Sequence, residues 1–548
     1  MRIWTGEQYR EITYKEFHEK VIAVARWLVS FGIKPGDRVA ILGENRPEWG
    51  VAYLGAQSSG AVAVPVDSLM PPSGIRHILV DSGARILMAT PKFLRDVSEM
   101  AVIPNIEKLV CLSSQKVEDA LPIEDVIASG AKSTTALPKR SLDDLAALLY
   151  TSGTTGHSKG VMLSQRNVAF DVASASRLIH LGPGDVFLSV LPIHHAFECT
   201  TGFLLPIYCG AAITYARSLK STDLIADMRG TKATIMVAVP LLYEKLHAGI
   251  VRGIKKKGRI PHYLFNVLYG TSLLGEKVGF DLGQKLFAGI REKAGLGSVR
   301  LFVSGGGPLD PQVADFFNRF GIRMLQGYGL TEAAPCTHVN PPWRSRAVTV
   351  GPPLPGVQHK LVDTNEQGVG EVLIKGDNIF VGYYKNKQAT EDVLTKDGWL
   401  MTGDLAIIHP DGYLQIVGRK KNIIVTGGGK NVYPEEIEYY LNRQRFIAES
   451  LALGTPRESG YGEEVCALIY PDYEQVDLYF EEQGKKVKAT PEDVDRLIKA
   501  DVEAAQVDLA DYKRIRSFRI QSEEFQKTST RKIKRFLYKG EMVKVGKA

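Results

Sequence analysis

Short apolar runs alternate with amphipathic segments of helical period over the first 330 residues of the chain. Eight of the apolar runs are predicted strands: Val39–Leu42, Ala61–Val66, Arg85–Met88, Leu109–Leu112, Ala147–Tyr150, Val186–Leu191, Thr234–Val239 and Leu301–Val303. The segment before the first run carries apolar residues at helical spacing on one predicted face: Val21, Val24, Leu28 and Phe31. This alternation predicts a multidomain α/β protein with stacked layers and largely parallel sheets.

The sequence pattern changes from about residue 350, where the predicted strands are short and closely spaced. Residues 407–419, IIHPDGYLQIVGR, predict a hairpin because Pro410 fixes one backbone angle and Gly412 accepts a positive φ. We therefore expect a β-rich subdomain over about 350–420. After Asn422 the sequence indicates a compact α+β module.

Charge and cysteine content exclude several classes of protein. The chain has 68 Lys and Arg against 61 Asp and Glu, and residues 527–548 alone hold eight basic residues and one acid, so the remainder is balanced at 60 against 60. A formally neutral body argues against nucleic-acid binding. The five cysteines include no CxxC pair, which argues against a disulfide framework or a zinc site and favours a reducing cytoplasm.

Residues 150–160, YTSGTTGHSKG, follow directly on a predicted strand. Glycines let successive backbone N–H groups face one point, while hydroxyls and an ammonium add donors, as is typical of a pyrophosphate cradle. The loop differs from the nucleoside triphosphatase P-loop, because Ser158 and Gly160 flank Lys159. Its candidate ligands are Thr151, Ser152, Gly153, Thr154, Thr155, Gly156 and Lys159.

This loop resembles the signature of the AMP-forming adenylating enzymes, which include acyl-CoA synthetases, luciferases and the adenylation domains of peptide synthetases. Companion motifs follow in the family order: PIHHAFE (192–198), SGGGP (304–308), QGYGLTE (326–332), GWLMTGDL (398–405), RKKNIIVTGGGKN (419–431) and KTSTRKIKR (527–535). The resemblance implies a large adenylation domain over residues 1–420 and a small mobile domain over 421–548. The segment 240–335 is most similar to the long-chain fatty acid–CoA ligases.

The resemblance also implies nucleotide-binding roles. The adenine loop is Gly305, Gly306 and Gly307, and the residues bordering AMP in the next motif are Gln326, Gly327, Tyr328 and Gly329. Tyr328 would stack on adenine, Thr331 would reach the α-phosphate, and Glu332 would be a ligand for Mg²⁺. Asp404 and Arg419 would clamp the ribose, although either alone is compatible with a surface ion pair.

In the small domain the resemblance implies that Lys532 is the catalytic lysine. Arg531 stands where the family has Gly, so Arg531 and Lys534 are rival cations. The pivot of the domain movement would be Lys421. The glycines beside the pantetheine arm of CoA would be Gly428 and Gly429.

Two adjacent histidines lie in the motif at 192–198, and three uses remain open for them: a metal site, acid–base work or packing. Adjacent positions are expected to point in different directions, which argues against a shared metal. By resemblance, His195 lines the acyl site, with His194 and Phe197 near it.

The implied reaction joins a fatty acid to ATP as acyl-AMP with release of pyrophosphate, and then transfers the acyl group to CoA. Fatty acid, ATP and CoA are the expected partners, with Mg²⁺ as cofactor and no nucleic acid. Three alternatives stay open: an acyl-acyl-carrier-protein synthetase, an adenylate-only ligase, and a non-catalytic nucleotide-responsive binding protein. The expected location is the cytoplasm, and peripheral contact with the inner face of the cell membrane and a homodimer are left open.

The stretch 241–299 is helical in character and partly basic, with Arg252, Lys255, Lys256, Lys257 and Arg259 close together. A solvated pair of helices is the preferred interpretation. A wall of the substrate pocket and contact with anionic headgroups are the alternatives.

Overall fold

Strands form in every segment where the sequence predicts one, with bounds that differ by one or two residues. The computed structural model describes residues 1–100, 103–151, 158–277, 282–457, 460–484, 489–507, 509–528 and 532–539. Its strands are β1 (Arg2–Trp4), β2 (Tyr9–Glu11), β3 (Arg38–Leu42), β4 (Val62–Val66), β5 (Ile86–Ala89), β6 (Lys108–Cys111), β7 (Ala120–Pro122), β8 (Leu145–Thr151), β9 (Lys159–Ser164), β10 (Val186–Ser189), β11 (Ala212–Tyr215), β12 (Ile235–Ala238), β13 (Leu301–Ser304), β14 (Arg323–Gly329), β15 (Cys336–Val339), β16 (Gln358–Val362), β17 (Gly370–Lys375), β18 (Gly382–Tyr383), β19 (Leu400–Ile408), β20 (Leu414–Arg419), β21 (Ile424–Val425), β22 (Asn431–Val432), β23 (Ile447–Pro456), β24 (Glu463–Pro471) and β25 (Ser517–Ile520).

Helices connect most of the strands. They are α1 (Tyr14–Phe31), α2 (Pro47–Ser58), α3 (Pro72–Ser82), α4 (Pro91–Ser98), α5 (Ile123–Lys132), α6 (Gln165–Leu178), α7 (Leu205–Cys209), α8 (Ser221–Thr231), α9 (Pro240–Lys256), α10 (Arg259–Lys277), α11 (Gly283–Leu286), α12 (Ala288–Lys293), α13 (Pro311–Arg319), α14 (Lys387–Glu391), α15 (Pro434–Leu441), α16 (Tyr473–Glu482) and α17 (Pro491–Ala505). A π-helix, Glu198–Leu204, leads into α7. Within the described residues, no helix is both long enough and apolar enough to cross a membrane.

Helix α1 shows how the sequence sets these bounds. Thr13 and Glu16 form a reciprocal capping box at its start, and Gly32 ends it at a φ of +101°. Three of the four residues on the predicted apolar face, Val21, Val24 and Leu28, are buried. The fourth residue, Phe31, is 37% exposed, and its ring stacks on that of Trp27.

The chain divides into two compact units, which are described separately. The large unit comprises Met1–His359, Ile374–Leu400 and Pro410–Leu414, and the small unit comprises Lys360–Leu373, Met401–His409 and Gln415–Ala548. The prediction of a large domain over residues 1–420 and a mobile domain over 421–548 describes a domain movement, and it stays a prediction.

Two sheets of eight strands build the large unit. The first has the order β18-β9-β8-β4-β3-β5-β6-β7, and the second β15-β14-β13-β12-β10-β11-β1-β2. The central pairs of both sheets are parallel, whereas β9 and β15 join antiparallel at the side of each sheet. The expected parallel α/β architecture is therefore confirmed.

Both faces of these sheets are covered by apolar layers. Along β3, Val39 and Ile41 belong to one buried cluster, while Ala40 and Leu42 belong to another on the opposite face. This explains why the strand is apolar throughout, as is typical of a parallel sheet buried on both faces. The cluster containing Val39 also takes in Ile213 of the second sheet, so the two sheets share one core. Helices α9, α10 and α13 supply the layer on the other face of the second sheet.

The remaining sheets are smaller. One has four strands in the order β16-β17-β19-β20, one has two (β21-β22), and one has three in the order β23-β24-β25. The hairpin predicted over 407–419 is confirmed, because β19 and β20 are neighbours and Gly412 lies in their connection at a φ of +81°. In the small unit, a buried cluster that includes Ile437, Ala467 and Ile498 joins α15 and α17 to the three-stranded sheet.

Candidate active site

Three of the predicted motifs leave the same edge of the second sheet. Strands β10, β12, β13 and β14 run parallel, so their carboxyl ends lie together. The motif at 192–198 follows β10, the glycine triplet follows β13, and Tyr328 lies near the end of β14. Ligand sites of open parallel sheets form at this edge. The topology thus assembles segments that are more than a hundred residues apart in sequence.

The glycine triplet lies directly against the histidine-containing loop. A Cβ atom added at Gly305 would come within 2.6 Å of the Phe197 ring, so only glycine permits this contact. Gly306 has a φ of +81°, which also favours glycine. The predicted adenine loop and the predicted acyl loop therefore touch each other, as two parts of one pocket must.

A polar cluster joins the end of β14 to the strand that follows the 150–160 loop. The Tyr383 hydroxyl donates a hydrogen bond to Glu332 Oε1 at 2.7 Å. The Lys159 ammonium lies over the Tyr383 ring, 5.0 Å from its centroid. A lysine and a carboxylate held on one tyrosine can bind a phosphate and the divalent cation that accompanies it.

Tyr383 was not predicted from the sequence, although it is central to this cluster. Burial, and then the neighbouring Glu332 carboxylate, raise the pKa of Tyr383, which keeps its hydroxyl a donor. Strand β18 brings it there by pairing with β9, Tyr383 opposite Val161. The backbone N–H of Phe380 also donates to the Glu332 carbonyl at 2.9 Å. The only signal in the sequence is an aromatic pair after a glycine, which does not identify a partner 51 residues away.

Glu332 is the residue of this cluster that fits Mg²⁺. Glu332 is partly exposed, and one of its carboxylate oxygens accepts the Tyr383 hydroxyl at 2.7 Å. Hard carboxylate oxygens beside phosphate groups are the usual protein ligands of Mg²⁺. The donor set therefore suits the predicted cation.

The two histidines of the acyl loop lie side by side, so the expectation that they point in different directions is wrong. Their ring centroids are 4.4 Å apart, and Nε2 of buried His194 lies 3.0 Å from Asp67 Oδ1. His194, His195 and Asp67 each bring one ligand atom within 4.8 Å of the others. The His195 N–H donates to the Pro192 carbonyl at 3.0 Å, so both histidines lie in a turn. Asp67 was missed because it lies 127 residues upstream, in the segment after β4.

A buried carboxyl group follows the histidines. Burial raises the pKa of Glu198 to about 8, and the nearby Ser189 hydroxyl and Leu191 N–H lower it only in part. Glu198 begins the π-helix, and a Cβ atom at Gly202 would lie 2.4 Å from its Oε1. The absence of a side chain at Gly202 makes the room for this neutral acid. Single-turn π-helices often occur at functional sites.

The residues predicted to border AMP occupy β14. The Gln326 side chain is buried, and its amide donates to the Ala347 carbonyl at 2.5 Å. This amide therefore has a structural role. The Tyr328 ring is partly exposed, with its centroid 5.9 Å from that of His338. His338 Nε2 and His359 Nδ1 share a hydrogen bond of 2.8 Å. Burial lowers the pKa of both histidines, so neutral rings form the support beneath Tyr328.

In the small unit the two residues of the predicted ribose clamp meet. Arg419 Nε donates to Asp404 Oδ1 at 2.6 Å, and the Asp404 side chain is only 7% exposed against 44% for Arg419. The pairing agrees with a shared ligand and equally with a structural ion pair. Lys420, next in sequence, instead bridges Glu371 and Asp363 at 2.7 and 3.3 Å.

Lys532 lies next to a short antiparallel bridge. Lys527 and Ile533 form an antiparallel bridge, and the Lys532 N–H donates to Thr528 Oγ1 at 3.2 Å. The Lys532 side chain is exposed. Two other cations of the basic tail have internal partners: Lys527 pairs with Glu449 at 2.6 Å, and Arg535 contacts Glu438. Lys527 and Arg535 are therefore held in ion pairs within the small unit and do not contribute to an exposed basic surface.

The other predicted residues of the small unit are exposed. Lys421 lies in the short 3₁₀ segment after β20, and its side chain is exposed. Gly428 and Gly429 form the turn between β21 and β22, and an added Cβ atom at either would meet nothing within 4 Å. The predicted residues Ser152, Gly153, Thr154, Thr155, Gly156 and Arg531 lie outside the described residues.

Comparison with known proteins places this geometry in a family. Residues 2–384 match the family described as AMP-binding enzyme. The chain belongs to this family. The resemblance found in the motifs is thereby confirmed. The match covers every residue of the cluster around Tyr383.

Curated relatives of this AMP-binding enzyme align over most of the chain. One is long chain acyl-CoA synthetase 6, peroxisomal, of Arabidopsis thaliana, 30% identical over 507 residues, with 88% of this chain and 71% of the relative covered. Another is the long-chain-fatty-acid–CoA ligase FadD15 of Mycobacterium bovis, also 30% identical, with 97% and 90% covered.

Solved structures agree with the fold. ATP-bound MatB from Rhodopseudomonas palustris matches with a TM-score of 0.76 and 25% identity, over 98% of this chain and 95% of that one. The anthranilate CoA ligase AuaEII in complex with anthranoyl-AMP matches with a TM-score of 0.78 at 22% identity, over 98% and 93%. The predicted α/β fold class is confirmed.

Proposed function

We propose that this protein activates a long-chain fatty acid with ATP and transfers the acyl group to CoA. The first step gives acyl-AMP and pyrophosphate, and the second gives acyl-CoA and AMP. The observation that carries the proposal is the Lys159–Tyr383–Glu332 cluster. In this cluster, close to the end of β14, a cation and a carboxylate both contact the Tyr383 side chain. The names of the two curated relatives support a long-chain acid and CoA.

The chemistry requires an anionic carboxylate to approach an anionic phosphate. Lys159 offsets part of that repulsion from the phosphate side, and Glu332 would hold Mg²⁺, which stabilises charge on the phosphate oxygens when bound. Thr331 offers a hydroxyl to the α-phosphate. The product anhydride has AMP as a good leaving group, so a thiol attacks its carbonyl without a protein nucleophile.

Other residues of the predicted motifs hold the nucleotide and the acid. The Gly305–Gly307 loop offers backbone on which adenine lies, and Tyr328 offers its ring for stacking. Asp404 accepts hydrogen bonds from the ribose hydroxyls, with Arg419 as a donor to the same sugar. Phe197 and His195 line the acyl side, where the contact of Phe197 with Gly305 supports a shared boundary between acid and nucleotide.

The small unit supplies the remaining steps. Lys532 is exposed, and a long flexible cation can reach a phosphate in adenylate formation. The unit then turns about Lys421 and offers Gly428 and Gly429 to the pantetheine arm of CoA. The open space around both glycines supports close approach of a ligand.

A panel of fatty acids of increasing chain length tests the proposal, with ATP, Mg²⁺ and CoA present and AMP release as the readout. Each buried CH₂ contributes about 0.8 kcal/mol, so kcat/KM should rise roughly fourfold per carbon until the pocket is filled. Replacing CoA with acyl-carrier protein, or omitting the acceptor, separates the two ligase alternatives. Absence of fatty-acid-driven ATP–pyrophosphate exchange would leave the non-catalytic alternative. The cytoplasmic location and the homodimer stay predictions.

A further inference from the structure

Helix α10 carries apolar residues on two opposite sides, and only one side packs against other described residues of the chain. The inner side packs against the large unit, where the Phe265 ring lies 5.3 Å from that of Phe287. Phe265 and Tyr269 also line a cavity of about 490 Å³ together with residues of α9 and α13. Ser272 on the same side is buried and donates to the Arg319 carbonyl. This side fixes the helix to the large unit.

The outer side of α10 is apolar and exposed. Its large side chains are exposed by 81% (Ile260), 72% (Tyr263), 55% (Leu264), 45% (Val267) and 65% (Leu274). Their spacings of three, four and seven residues place all five on one stripe of the helix. Single exposed apolar residues need no explanation, but a contiguous stripe on one helix indicates a contact surface.

A basic segment adjoins the stripe. Residues 245–275 contain six basic residues and no acid: Lys245, Arg252, Lys255, Lys256, Lys257 and Arg259. Lys255, Lys256, Lys257 and Arg259 are exposed where α9 ends and α10 begins. An exposed apolar helix face beside a run of cations is the pattern of a helix that lies in the interface of an anionic bilayer.

We propose that the outer face of α10, with the adjoining cations, docks the protein on an anionic membrane surface. Aromatic and aliphatic side chains enter the headgroup region, with Tyr263 placing its hydroxyl toward water, and the lysines meet lipid phosphates. A second copy of the chain fits less well, because symmetric pairing of this face would bring two acid-free basic segments together. The proposal goes beyond the proposed function and does not depend on which acid is activated.

Vesicle flotation of the full chain tests this docking. The vesicles contain phosphatidylglycerol with phosphatidylcholine, or phosphatidylcholine alone, and each is used at low and high salt. We expect binding to the anionic vesicles only, weakened by salt. No binding of the unaltered chain to the anionic vesicles, or equal binding to neutral ones, overturns the proposal.

Two sets of substitutions separate the apolar and charged contributions. The first set is Tyr263→Ser, Leu264→Ser and Val267→Ser, and the second is Lys255→Gln, Lys256→Gln and Lys257→Gln. Each set should reduce the partition coefficient on anionic vesicles by at least about tenfold. All six side chains are exposed, so the variants should fold, as circular dichroism and thermal unfolding will show.

Matched controls use exposed residues elsewhere in the large unit. Leu142 and Leu219 are 52% and 54% exposed, and their serine variants should bind vesicles as the unaltered chain does. The basic controls, all exposed, are Lys116→Gln, Lys132→Gln and Lys139→Gln. Equal loss of binding in the controls and the α10 variants would contradict a specific surface. A dimer that the serine variants on α10 dissociate, with vesicle binding unchanged, would assign the face to a second copy instead.

Discussion

At the scale of single residues, the site depends on one side chain that no motif identified. Lys159 and Glu332 are conspicuous in the sequence because each lies in a dense polar motif after a strand. Tyr383 lies in neither, yet it contacts both. Local patterns predict which residues carry chemistry, whereas the residues that position them come from distant segments.

Substituting Tyr383 with Phe tests this positioning role. Loss of a hydrogen bond to a charged group corresponds to roughly 1.5–3 kcal/mol. We expect the Mg²⁺ concentration for half-maximal rate to rise by about tenfold or more, because Glu332 loses the contact that orients it. The measurement is ATP–pyrophosphate exchange over a Mg²⁺ series. Tyr384→Phe is the control, and an unchanged Mg²⁺ dependence in the Tyr383 variant would refute the role.

Substituting Lys532 with Ala tests the assignment of the catalytic lysine. Removing one group that stabilises transition-state charge reduces the rate by roughly 10²–10³-fold, so acyl-AMP formation should fall by about that factor. Thioester formation from supplied acyl-AMP and CoA should be retained. The control is Lys534→Ala, which removes the rival cation. Equal loss in both half-reactions would show that Lys532 is not specific to adenylation.

At the scale of elements, the turn after β10 concentrates unusual features. The histidine pair, the buried Glu198 and the π-helix follow one another within eleven residues, 194–204. The sequence predicted the histidines as acyl-site residues but not their mutual approach, because that depends on the conformation of the turn at 192–195. The sequence did not indicate that Glu198 is neutral, because its pKa depends on burial by the surrounding core.

The pKa of Glu198 leads to a pH prediction. Its pKa is about 8 in the folded protein and near 4.5 in the unfolded chain, so the folded state holds an extra proton between those values. The contribution of Glu198 to the free energy of unfolding is therefore largest below about pH 4.5 and is lost as pH rises toward 8. Glu198→Gln should flatten that dependence and raise stability at pH 8.

Urea unfolding of the unaltered chain and the Glu198→Gln variant across this pH range measures the difference. Glu492→Gln serves as a control, since that carboxylate is exposed in the first turn of α17. The same slope in the unaltered chain and the Glu198 variant would show that the carboxyl ionises without penalty in the fold.

At the scale of the whole molecule, the family fold is built on two shared-core sheets, and its small unit carries the residues assigned to the second step. Lys421 lies between Arg419, the proposed ribose ligand, and the turn with Gly428. A pivot there needs backbone freedom more than a particular side chain, because a domain rotation changes φ and ψ.

Lys421→Pro and Lys421→Ala together test the pivot. Proline fixes φ near −65°, so the thioester step should fall by about tenfold or more, while adenylation falls less. Alanine removes the ammonium but keeps the torsional freedom, and it should leave both steps close to the unaltered rates. Separate assays of pyrophosphate exchange and acyl transfer measure the split. Equal behaviour of the two variants would contradict a backbone pivot.

The sequence by itself determined the layered α/β class, every predicted strand and the family of adenylating enzymes. Those properties follow from hydrophobic period and contiguous motifs, which are local. The tertiary structure alone decided that Tyr383 reaches Glu332, that Asp67 reaches His194, and that Lys527 and Arg535 are held by internal acids. It also decided which side of α10 faces water. Such pairings depend on how distant elements pack, because no spacing along the chain encodes which faces meet.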